Sequence, residues 1–130
     1  MNGANVAQET WLGWKLDPSD RADLLARFPP RYAETIADHI TFGRADGAPP
    51  LPDTDRVRIV GRADDHAGVE AMVVELAGTT DRPTGGTYHI TWSLADGREA
   101  HESNDVIAAR GWQPVENAPD LRIEAACWPS

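Results

Sequence analysis

One cysteine, Cys127, stands in the whole chain, so no internal disulfide can form and the fold does not depend on an oxidising compartment. No apolar run approaches the ~18–20 residues that a membrane-spanning helix needs. Residues 1–9 lack the apolar stretch that marks a secretory signal, which points to a cytoplasmic protein with no membrane partner. Cations are scarce as well: 12 Lys and Arg against 21 Asp and Glu give a formal charge of −9. Proteins that grip long nucleic acid neutralise phosphates with Lys and Arg. The acidic balance therefore argues against a duplex and leaves a small nucleotide or an RNA terminus as the nucleotide partner. There is no Gly-rich loop ending in Lys-Ser/Thr, no Gly-x-Gly-x-x-Gly after a strand and no Gly-x-Ser-x-Gly elbow. No close pair such as His-x-x-x-His is present, so no metal or other cofactor is expected; His39, His89 and His101 with an Asp would be the remaining way to assemble a metal site.

What is present reads as an ordinary globular chain, 41% apolar and 25% charged, whose 130 residues suit one domain with its own core. A monomer is expected, with residues 1–8 loose. Thr10 to Leu16 predicts a first strand. Asp17-Pro18 is a cap followed by a residue suited to the first helical position, and Ala22, Leu24, Leu25 and Phe28 give the helix an apolar stripe. Pro29-Pro30 ends it. A shorter helix is expected over Arg31 to Ala37, then a strand over Asp38 to Gly43. The Pro- and Gly-rich residues 44–54 predict a loop. Val57 to Arg62 and Val69 to Leu76 predict a hairpin around Asp64-Asp65-His66. After a loop over Gly78 to Gly86, a strand is expected from Thr87 to Leu94. Ser103 is a candidate cap for a helix over Asn104 to Arg110 that stops at Gly111. Leu121 to Trp128 predicts a last strand. The order β-α-α-β-β-β-β-α-β has no βαβ alternation, which favours an antiparallel α+β fold over a doubly wound sheet.

A short phrase occurs twice in this chain. Residues 39–42 are His-Ile-Thr-Phe and residues 89–92 are His-Ile-Thr-Trp. In a strand, side chains i and i+2 share a face. His39 and Thr41 then face one way while Ile40 and Phe42 face a core; His89 and Thr91 repeat the arrangement over Ile90 and Trp92. One copy alone is a good strand that happens to contain a histidine. Two copies arise by chance on the order of once in a thousand such chains, judged from average composition. Placed together, two imidazoles can serve as base and acid near neutral pH, and two hydroxyls can donate to the non-bridging oxygens of a phosphate.

The pair of His-x-Thr-hydrophobic motifs resembles those of the 2H phosphoesterase superfamily. Phe28-Pro29-Pro30 and Ser103-Asn104 are similar to features of its small stand-alone members. The resemblance implies two pseudo-symmetric lobes around a central cleft, with His39, Thr41, His89 and Thr91 as the catalytic set. It also implies hydrolysis of a 2′,3′-cyclic phosphate of a nucleotide or RNA end, with a 2′-phosphate product. A hydrolase of a cyclic di- or oligonucleotide signal, and a module that binds a nucleotide or RNA end without turnover, are the alternatives.

Arg44 follows the first motif and Arg82 precedes the second, so either could reach a phosphate; the alternative for each is a solvated loop arginine. Tyr32 could stack on a base or pack in the core, and Tyr88, on the face opposite His89, reads as core. The five tryptophans read mostly as core, with room for one at a cleft edge. Cys127, with no partner base in the sequence, reads as a small buried residue and not as a nucleophile.

Overall fold

The computed structural model describes residues 10–129; the expectation for residues 1–8 lies outside them. The described residues form an α+β fold, an open antiparallel sheet of eight strands with two helices. The strands are β1 (Thr10–Leu16), β2 (Glu34–Thr35), β3 (His39–Arg44), β4 (Arg56–Asp64), β5 (Val69–Glu75), β6 (His89–Leu94), β7 (Gln113–Pro114) and β8 (Asp120–Pro129). The helices are α1 (Pro18–Arg27) and α2 (Glu102–Arg110). The strand order is β2-β6-β5-β4-β8-β1-β3, with β7 attached to β4. Strand β8 spans the two halves of the row: Asp120–Arg122 pair with β4, and Ile123–Pro129 pair with β1. The sheet curls enough to bring β3, at one end, against β6, next to the other end.

Both motif strands are irregular at the same place. In β3, Thr41 pairs with Gly13 and Gly43 with Leu12, which leaves Phe42 as an extra residue. In β6, Thr91 pairs with Ala71 and Ser93 with Glu70, which leaves Trp92 as an extra residue. Each bulge therefore falls on the fourth residue of its motif. A bulge bends its strand and increases the local twist, and such features gather beside functional sites.

The main core explains why these segments are strands. Ile40, Phe42, Ile90 and Trp92 are all fully buried in it, together with Trp14, Ile59, Met72 and Tyr88. Trp14 packs edge-on against Phe42 at 5.9 Å and Tyr88 at 6.1 Å. Strand β5 reads as a nearly continuous apolar run because both its faces are covered. Met72 and Val74 enter the main core, whereas Val69, Ala71 and Val73 join a second cluster under Val106 and Ile107 of α2. Asp17 caps α1 by accepting from the Asp20 backbone N–H at 3.0 Å. Of its expected stripe, Leu24 is buried and Leu25 and Phe28 are half-buried, while Ala22 is exposed. The Arg122 guanidinium, bonded to Asp20, ties β8 to the start of α1 and holds the Asp20 carboxyl down at about 2.

Three expectations are corrected. Cys127, on β8, is exposed and not buried. Residues 31–37 do not form a helix. Their N–H groups are taken elsewhere: Arg31 donates to the Glu70 carboxylate, Tyr32 to the Ser93 hydroxyl, and Ile36 and Ala37 to the carbonyls of Trp92 and Thr91. These long-range acceptors outweigh the local turn that helical propensity offers. Ser103 is not a helix cap. Helix α2 starts two residues earlier, at Glu102 with His101 as its N-cap, and the Ser103 side chain is buried against Thr91. The short strands β2 and β7 carry no pattern that sequence reading detects.

Replacing Trp14 with Ala is expected to lower unfolding free energy by about 3–5 kcal/mol, read from the urea midpoint. A loss below about 1 kcal/mol would show that this core is not built around the Trp14 indole.

Candidate active site

The alternation of β3 and β6 brings His39, Thr41, His89 and Thr91 into the lining of one cavity of about 700 Å³. Both motif strands turn their apolar residues to the core, so these four side chains share the opposite side, where β3 meets β6. Arg82 and Arg44 line the same cavity.

His39 sits on the half formed by β3, β1 and β8. Its Nδ1 lies 2.9 Å from Asp38 Oδ2, and Lys15 Nζ approaches the same oxygen at 2.5 Å. Partial burial raises the Asp38 pKa, but the bonds from Lys15 and His39 outweigh it and hold the carboxyl below its usual range. With this carboxylate accepting the Nδ1 proton, Nε2 is the nitrogen left to meet a ligand. The Trp128 indole covers the imidazole with a centroid separation of 4.6 Å and a tilt of 53°.

His89 is in a different environment. It is only 8% exposed, and its Nδ1 lies 2.8 Å from the Thr87 carbonyl. A carbonyl can only accept, so Nδ1 carries the proton and Nε2 carries the lone pair in the neutral ring. Burial lowers the His89 pKa below the usual 6.5; the Thr87 carbonyl opposes the shift, and the charges of Arg82 and His39 reinforce it. His89 is thus suited to be neutral and to accept a proton. His39, with an anion at its far nitrogen, is suited to present one.

The two threonines are held differently. Thr91 Oγ1 is 2.9 Å from Ser103 Oγ and 3.3 Å from the Ala100 carbonyl, so the start of α2 fixes its rotamer. Thr91 donates its one proton to the Ala100 carbonyl, so donation to a ligand requires that long bond to turn outward while Ser103 donates to Thr91 Oγ1. Thr41 lines the cavity opposite, and its carbonyl accepts from Arg82 Nη1 at 3.1 Å. Arg82 also donates from Nε to the Gly85 carbonyl at 2.7 Å and from Nη2 to Asn104 Oδ1 at 3.3 Å. Three of the five guanidinium N–H groups are used in this way, which leaves two for an anion. Arg82 therefore links β3, its own loop and α2 across the cavity. Thr84 fastens that loop further by donating to the Phe42 carbonyl.

Tyr32 is not brought to this cavity. Its hydroxyl donates to Asp64 Oδ1 at 2.6 Å, at the β4–β5 turn, and burial raises its pKa with help from that bond. The reading of Tyr32 as a substrate contact is corrected to a fastening of the 31–37 segment. Trp14 and Trp92 are core, as expected of most of the tryptophans, whereas Trp11 and Trp128 line the cavity and Trp112 is exposed. Four site neighbours escaped the sequence reading in these roles. Asp38 had a detectable signal, being an acid next to the motif histidine. Ser103, Trp11 and Trp128 had none, because β1, β8 and α2 reach the cleft only through tertiary packing.

Among the described residues, no three His, Cys, Asp or Glu side chains gather to hold a metal, and no helix is long and apolar enough to cross a membrane. A second cavity, of about 430 Å³, is lined by Arg31, Arg62, Arg110 and Trp112. Arg31 and Arg62 are already paired there with Asp64 and Glu70. Comparison of the chain with family models, curated proteins and solved structures found no match.

An NMR titration of the imidazoles is expected to show His89 protonating below pH 6.5. The sign for stability follows from the lowered value. The unfolded chain takes up this proton first, so the contribution of neutral His89 is present above about pH 6.5 and is lost as pH falls. A His89 midpoint above 6.5 would contradict its placement in a desolvated wall.

Proposed function

We infer that the chain is a phosphodiesterase of the 2H type that opens a nucleoside 2′,3′-cyclic phosphate by two-histidine acid–base chemistry. The observation that carries this reading is the pair of His-x-Thr motifs lining one cavity from two strands with matching bulges. In this reading, β3-β1-β8 and β4-β5-β6-β2 are the two lobes, and the cavity between their motif strands is the central cleft.

His89 Nε2 takes a proton from water as the water oxygen attacks phosphorus. Thr41 and Thr91 donate to the non-bridging oxygens, which gain charge as the fifth bond forms. Arg82 adds positive charge from the side of the loop. One bond from phosphorus to a ribose oxygen breaks, and His39 Nε2–H protonates that oxygen. The cycle leaves His89 protonated and His39 neutral, and exchange with solvent restores both. Asp38 keeps His39 in the tautomer that presents Nε2 and balances its charge. The resemblance to 2H enzymes implies that the 3′ oxygen leaves and the product is a 2′-phosphate.

Replacing either His39 or His89 with Ala is expected to lower kcat by about 10²–10⁴-fold without unfolding the protein, as checked by circular dichroism. Turnover is expected to persist in EDTA. Hydrolysis undiminished in both variants would remove the reading, and nucleotide binding without product in the native chain would favour a binding module. For kcat/KM, the base must be unprotonated, so the acid limb is expected below pH 6.5, in the direction of the lowered His89 pKa.

A further inference from the structure

Away from the cleft, one pocket gathers cations in a chain that has few of them. The cavity of about 430 Å³ lies where the end of α2 meets β4 and β7, and Arg31, Arg62, Arg110 and Trp112 line it. It shares no lining residue with the cleft. Two glycines seat its indole. Gly111, at φ 68° and ψ −151°, turns the chain after α2 in a way that a side chain resists, and this returns Trp112 over β4. A Cβ on Gly61 would stand 1.9 Å from Trp112 Cδ1, so the ring rests directly on the β4 backbone there. The indole is nonetheless 38% exposed, and its uncovered side lines the cavity.

The acids at this pocket are already engaged. Asp64 accepts from the Tyr32 hydroxyl, the His66 backbone and Arg31. Glu70 accepts from the Arg31 backbone, the Ser93 hydroxyl and Arg62. Three guanidiniums against these two carboxylates leave one positive charge over, with His66 counted neutral. The Arg110 guanidinium has no hydrogen bond or ion pair among the described residues. Arg31 and Arg62 keep N–H groups beyond those given to Asp64, Glu70 and the Pro29 carbonyl. The carbonyl end of α2 disfavours an anion, but its charge of about −0.5 is smaller than the surplus. Guanidinium forks suit carboxylate and phosphate oxygens, and an indole face suits a planar ring. We propose that this pocket is a second binding site, for a small planar aromatic ring that carries an oxyanion. The ring stacks on Trp112, and Arg110, helped by Arg31 and Arg62, holds the oxyanion. Carboxylate and phosphate share this chemistry. The site stands or falls separately from the phosphodiesterase reading, because no residue is common to both.

The test follows the indole N–H resonances of the ¹⁵N-labelled full chain by NMR, with the Trp112 signal identified from its loss in Trp112→Phe. Two ring-bearing anions, indole-3-acetate and adenosine 5′-monophosphate, are titrated beside their ring-free counterparts, acetate and inorganic phosphate. At least one ring-bearing anion is expected to shift the Trp112 signal and to bind at least about tenfold more tightly than its counterpart. Whether the carboxylate or the phosphate does so identifies the source of the oxyanion. In Arg110→Ala, that binding is expected to weaken by about tenfold. Arg110 is the residue to change because its guanidinium holds nothing else in place, and circular dichroism checks that the fold is kept. A Trp112 signal unmoved by both ring-bearing anions would overturn the site. So would ring-free counterparts that bind as tightly, or an Arg110→Ala protein that binds like the native one.

Discussion

Burial of Ile40, Phe42, Ile90 and Trp92 in one core sets the position of everything in the cleft. Each is fully buried, and each contributes about 1.5–3 kcal/mol of hydrophobic stabilisation. Because side chains alternate along a strand, a core that holds these four must expel His39, Thr41, His89 and Thr91 to the other side. A slip of one residue in either strand would put its His and Thr into the main core and turn two large apolar side chains out of it, which is why register here is strongly specified. The bulges at Phe42 and Trp92 refine the constraint by bending each motif strand at the same motif position.

The polar contacts act on that frame and do not create it. Glu70 is fully buried on β5. It accepts from the Arg31 backbone, the Ser93 hydroxyl at 2.6 Å and Arg62 Nε at 2.7 Å. A buried carboxylate is tolerable only with this degree of pairing, and the network fixes the path that leads from α1 to β3. The Trp92 indole N–H donates to the Phe28 carbonyl at 2.9 Å and fastens the start of the same path to β6. Arg82 plays the matching role on the other side of the cleft. It is a partly buried cation that spends most of its donors on backbone and Asn104, so the site gains rigidity along with positive charge.

Much of this was legible in the sequence, and the reasons differ by element. Strand β1, helix α1 with its Asp17 cap, the β4–β5 hairpin and both motif strands declare themselves through local patterns, and the structure places them within one or two residues of the expected bounds. The repeated His-x-Thr phrase named the four central side chains of the cleft. The segment at 31–37 was misread because its hydrogen-bond acceptors lie on β5 and β6, about 40–60 residues further along the chain, where no local rule reaches. Ser103 was misread for the same reason: serine before a helical stretch is a good cap, but here Thr91 claims its hydroxyl. Trp11 and Trp128 were hidden because an aromatic residue in a strand resembles core until the face that stays open is known.

The central claim is that the two imidazoles address a single phosphorus atom. A crystal structure with adenosine 2′-monophosphate bound tests it most directly. The account predicts one phosphate with oxygens roughly 2.6–3.2 Å from Nε2 of both His39 and His89, and with Thr41 and Thr91 hydroxyls on its remaining oxygens. A phosphate seated instead among Arg31, Arg62 and Arg110, or one that meets only one of the two histidines, would contradict it.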